Sequence, residues 1–131
     1  MNTKMQMTAL EILRPFIISE LEDMGSDWWT KLVCPFLSQR QQLRAWGMGP
    51  SYISQVDFSE ALWVLRRNWE LISDRHEISP RYEEVLIHLQ NARNAFAHSY
   101  KEVDDAWLAY DQNALDLFLS MIEGLQGEAA A

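Results

Sequence analysis

Arg93, Asn94, His98 and Tyr100 fall within eight residues of one another. They supply a permanent cation and, in His98, a group that gains and loses a proton near neutral pH. The arginine's position is the informative part. Read as an ideal helix, Tyr82, Val85, Leu86, Leu89, Ala92, Phe96 and Ala97 form one apolar stripe. Arg93 lies eleven residues after Tyr82, only about 20° from it around the axis. A guanidinium in such a stripe must be paired or must face a cleft, because burying it alone costs several kcal/mol. The other reading is structural: an arginine in a salt bridge, a histidine favoured by a helix C-terminus, and a packed tyrosine with a wet hydroxyl.

The rest of the chain must hold these residues. A length of 131 residues suits one domain, 1–131, with a sizeable core. Hydrophobic residues make up 48% and charged residues 23%, which describes a globular chain. Four prolines and five glycines sit mostly at boundaries, favouring helices over many short strands. The net charge of −8 argues against a general nucleic-acid binder. Its distribution is uneven. Residues 102–131 carry seven acids and no Lys or Arg, while residues 1–101 are nearly balanced. The acidity reads as a solvated face or as a docking surface for a basic partner.

Cys34 is the only cysteine, so no internal disulfide is expected. No apolar run approaches the roughly 20 residues of a membrane span, and the start lacks a signal-peptide core. The expectation is a cytoplasmic protein with no membrane partner. Phosphate-cradling glycine loops, dinucleotide fingerprints and zinc motifs are absent. His76, His88 and His98 are spaced by twelve and ten residues, which is no ligand pattern on one helix. No metal and no cofactor is expected.

Along the chain, Thr8 and Glu11 suggest a capping box opening a helix to about Met24, with Pro15 as a kink or effective start and Gly25 as a left-handed cap. Asp27 to Val33 reads as a short helix stopped by Cys34-Pro35, with one of Trp28 and Trp29 in the core. Residues 34–56 give a weak signal, with a helix expected from Phe36 to Trp46 and a break at Gly47 to Pro50. Asp57 and Glu60 form a second capping box, and one helix is expected from there through Ile72. Ser79-Pro80 starts the helix that carries Arg93. Asp104 should cap a last helix to about Leu125, leaving 127–131 frayed. That helix has an apolar arc of roughly 200°, more than one core face needs. It is either central to the bundle or shared with a second subunit. The six tryptophans read as core rather than as base-stacking platforms.

The motif Arg93-Asn94-x-x-x-His98 resembles the signature of the HEPN superfamily (higher eukaryotes and prokaryotes nucleotide-binding). Gly25-x-x-Trp28-Trp29, then Asp57-Phe58-x-x-Ala61-Leu62-x-x-Leu65-x-Arg67-Asn68-Trp69, then Val85 to His98 and Asp104-Asp105-Ala106, resemble its synthetic-lethal-with-TREX branch. The likeness runs from about Leu10 to Leu125, and Phe96-Ala97 departs from the usual bulkier pair before the histidine. It implies an all-α helical bundle of four to five main helices and a metal-independent endoribonuclease. In such a reaction the 2′-hydroxyl of RNA attacks the adjacent phosphate. Arg93 and His98 become the catalytic residues, with Asn94, Tyr100 and Asn68 at the substrate.

Residues five apart on an ideal helix point about 140° from each other. Arg93 and His98 of one chain therefore do not easily grip one phosphate, whereas a symmetric dimer brings two copies of the motif to one cleft. The resemblance implies such a homodimer. A toxin or defence role follows, together with an antitoxin or regulatory partner, since some HEPN toxins are silenced at a tyrosine placed as Tyr100 is. The alternative is a non-catalytic dimeric module that binds RNA or a protein partner. The acidic last helix and the modest count of bases near the motif (Arg66, Arg67, Arg75, Arg81, Lys101) favour it. A nucleotide-binding cleft is a third possibility.

Overall fold

The computed structural model describes residues 3–97 and 105–130, and every regular element among them is helical. Six α-helices follow in order: α1 (Thr3–Leu21), α2 (Gln39–Met48), α3 (Phe58–Arg67), α4 (Trp69–His76), α5 (Arg81–Ala97) and α6 (Asp105–Ala130). A π-helical turn (Trp29–Val33) and short 3-10 turns fill the connections. None of the described helices is long and apolar enough to cross a membrane.

α1 packs against α3 and α6, and α5 packs against the same two helices. The four close into a bundle around one core. α1 gives it Leu13, Phe16 and Ile17; α3 gives Phe58, Leu62 and Leu65; α5 gives Leu86 and Leu89; α6 gives Phe118 and Ile122. All ten are at most 2% exposed. Each contributes about 1.5–3 kcal/mol by leaving water. From Tyr82 to Ala92 the stripe expected on α5 faces inward, and Arg93 follows at the end of that row.

The capping box of α3 forms as expected. The Glu60 N–H donates to Asp57 Oδ1 at 2.8 Å, and the Asp57 N–H donates to Glu60 Oε1 at 3.2 Å. Glu60 Oε2 also accepts from the Ser38 N–H at 3.4 Å, which ties the box to the start of α2. Burial of this carboxyl, reinforced by nearby Asp57, pushes its pKa above the ordinary value.

Several boundaries differ from the sequence reading. α1 opens at Thr3 rather than Thr8, because Met5 packs on the core and extends the helix backwards. The Thr8 hydroxyl then donates to the Lys4 carbonyl at 3.0 Å instead of capping. Pro15 lies inside α1, where it and Glu11 occupy the exposed side and the missing hydrogen bond faces water. Gly25 has φ +142 and ψ 163, which is not the left-handed cap but a conformation that only glycine adopts readily.

The helix expected from Asp57 through Ile72 is two helices, so the count exceeds four to five. Asn68 makes the break. Its Nδ2 donates to the Val64 and Leu32 carbonyls, each at 2.8 Å. A side chain competing for the backbone acceptor one turn back disfavours helical continuation. α4 ends on Glu77 in the left-handed conformation, φ 53 and ψ 43. α6 continues to Ala130, past the Leu125 expected from the pattern, through a tail rich in alanine, the best helix former. Its expected cap, Asp104, lies outside the described residues.

Candidate functional site

α3 and α5 run side by side and leave a groove of about 210 Å³ between them. Leu62, Trp63 and Arg66 line it from α3. Gln90, Arg93 and Asn94 line it from α5. The register is fixed across the groove by Arg66, whose Nη1 donates to Gln90 Oε1 at 2.8 Å. Arg66 and Arg93 are the groove's two cations, and no carboxylate is among its described lining residues. In a chain of net charge −8, this gathers positive charge in a groove with no acid among its described lining residues.

Arg93 is half-buried, and no ion pair holds it among the described residues. Its Nε is shut off from solvent and has no hydrogen-bond partner among them. A buried guanidinium nitrogen without an acceptor is costly. Arg93 lines the groove, and no carboxylate among the described residues pairs with it.

The expected site residues divide into three groups. Arg93 and Asn94 are brought together, and Asn94 is exposed at the groove. Asn68 is not with them. It is 3% exposed and its amide donates to the Leu32 and Val64 carbonyls, so it joins α3, α4 and the π turn. His98 and Tyr100 lie outside the described residues.

The other histidines have structural partners, and the thiol is buried. His76 Nε2 pairs with Glu20 Oε1, and Arg75 donates to Asp23 Oδ2 at 3.1 Å and to the Glu20 carbonyl at 3.2 Å. These bonds clamp α4 to the end of α1. His88 Nε2 meets Asp111 Oδ1 at 2.7 Å and stacks edge-on to Tyr110, joining α5 to α6. Cys34 is buried, and burial pushes its thiol pKa up, away from a reactive thiolate. No group of three or more His, Cys, Asp or Glu among the described residues is placed to share a metal ion. A larger groove of about 570 Å³ lies between α5 and α6, with Arg81, Tyr82, His88, Tyr110 and Leu117 in its walls. It holds neither Arg93 nor Asn94.

Sequence reasoning missed two contributors. Trp63 is 42% exposed and lines the α3–α5 groove, with the Arg67 guanidinium 5.6 Å from its ring centre. Arg66 was visible only as a base near the motif, because its bond to Gln90 spans 24 residues. The expectation that the tryptophans are core holds for Trp29 and Trp69. It fails for Trp46, Trp63 and Trp107, which are 42–64% exposed.

A family model described as Swt1-like HEPN matches residues 6–122. No curated protein matches, and no solved structure matches.

Proposed function

The chain belongs to the Swt1-like HEPN family, and from that premise we propose that it is a metal-independent endoribonuclease working at a cleft shared by two subunits. The observation that carries the reading is Arg93: a guanidinium at the end of a core-facing row, in an acid-free groove, with a buried nitrogen that lacks an acceptor among the described residues. In the reaction, a base removes the proton from a ribose 2′-hydroxyl. The 2′-oxygen attacks the neighbouring phosphorus while the bond to the 5′-oxygen breaks, and an acid protonates the departing oxygen. The products are a 2′,3′-cyclic phosphate and a 5′-hydroxyl. Arg93 holds the phosphate oxygens as negative charge grows in the transition state. His98 transfers protons, and the second subunit's copy supplies the second transfer. Asn94 orients the phosphate, and Tyr100 hydrogen-bonds nearby.

The exposed apolar side of α6 supports pairing. Trp107, Tyr110 and Leu117 are 51–59% exposed, beyond what the core uses. The test is incubation of single-stranded RNA with the purified protein and a chelator. Cleavage to cyclic-phosphate ends, lost in Arg93→Ala and His98→Ala, supports the reading. Intact RNA with a dimeric protein favours the second reading, a non-catalytic module, for which the acidic α6 speaks. As a toxin or defence effector under a regulatory partner, the protein would slow growth on expression, and His98→Ala would relieve it.

A further inference from the structure

Trp63 stands apart from the other apolar residues of α3. The other large apolar residues of α3, Phe58, Leu62 and Leu65, are at most 2% exposed. Trp63 lies on the opposite, polar side and keeps 42% of its surface in water. It is nonetheless held in place. The Arg67 guanidinium lies over its ring and over that of Phe36, 5.6 Å and 5.3 Å from the two centres. A fixed, exposed indole beside two groove arginines has the composition of a nucleotide site. The ring takes a base and the cations take the backbone. Around them stand Gln90, Asn91 and Asn94, amides that can hydrogen-bond a base edge.

We propose that the α3–α5 groove holds one unpaired nucleotide, its base stacked on Trp63 and its phosphate on Arg93 and Arg66, so that the substrate is single-stranded RNA. The inference rests on the ribonuclease reading for the identity of the polymer and adds the residue that selects unpaired strands. A base inside a duplex is stacked on both faces and cannot reach the indole, whereas a splayed base can.

The test uses the full chain and a short, mixed-sequence, fully 2′-O-methylated oligoribonucleotide, which lacks the nucleophile and so reports binding alone. Its single strand and its duplex are titrated by anisotropy against wild type, Trp63→Phe and Trp63→Ala. The expected result is tighter binding of the single strand, a Kd within a few-fold of wild type for Trp63→Phe, and about 10- to 100-fold weakening for Trp63→Ala. Binding also quenches tryptophan emission in wild type, and Trp63→Phe removes that quench, which keeps the test decisive if the alanine variant does not fold. Equal affinity for duplex and single strand, or a quench that persists in Trp63→Phe, overturns the proposal. The two readings fail separately. If RNA is cleaved through Arg93 and His98 but Trp63→Ala leaves KM unchanged, only the nucleotide site is wrong. If the probe binds through Trp63 but no RNA is cleaved, only the ribonuclease reading is wrong.

Discussion

Asn68→Ala should destabilise the protein by about 2 kcal/mol. The estimate comes from two hydrogen bonds at 2.8 Å from a side chain that is 3% exposed. A buried hydrogen bond contributes about 0.5–1.5 kcal/mol net, so two give about 1–3 kcal/mol. The two acceptors are unequal. The Val64 carbonyl keeps the backbone bond from the Asn68 N–H at 3.2 Å. Leu32, 36 residues earlier, loses its link to the α3–α4 joint. Some of the loss is returned, because alanine favours a continuous helix. The assay is urea unfolding followed by far-UV circular dichroism, with the midpoint shifting down at an unchanged slope. Asn68→Asp is the sharper variant, since its carboxylate would face two carbonyl oxygens and should cost more than alanine at neutral pH. If Asn68→Ala unfolds at the wild-type midpoint but loses RNA binding, the joint is not structural and the original expectation of a substrate contact returns.

Glu77→Gly should stabilise by about 1 kcal/mol, because a residue with a Cβ at φ 53 carries strain that glycine does not; thermal unfolding checks it, and a lower Tm would contradict it. Glu60→Gln should flatten the pH dependence of stability. The folded-state pKa of Glu60 is raised by burial, so its contribution is fully present below the unfolded pKa and is lost as pH rises through the folded one. Unfolding of wild type and variant on both sides of that range reads the difference. A wild type that gained stability relative to the variant with rising pH would refute it. Glutamine keeps the acceptor for the Asp57 N–H, so the cap itself should survive.

What the chain declares in its sequence is mostly local. The Asp57–Glu60 box needs residues three apart and is legible as such. Arg93 stands out because a charge interrupts an apolar stripe, and the helix period alone places it at the core-facing side. Thr8 and Glu11 carry the same local signal as the true box, yet core contacts of Met5 extend the helix past them. Asn68 fits a motif, a cap and a helix break equally well in sequence. Its distant partner, Leu32, decides among them. The same holds for the groove. Trp63 and Arg66 come from α3, Gln90 and Arg93 from α5, and only packing of the two helices makes them neighbours. The wide apolar arc of α6 was readable, and its surplus is the exposed side carrying Trp107, Tyr110 and Leu117.

The most direct measurement compares RNA cleavage rates, in chelator, of wild type, Arg93→Ala and Arg81→Ala, the last removing a cation from the α5–α6 groove instead. Arg93→Ala should lower kcat/KM by at least about 100-fold, the scale of one lost donor to a developing oxyanion, while Arg81→Ala should stay within a few-fold of wild type. An Arg93→Ala enzyme that is folded and cleaves at the wild-type rate would contradict it.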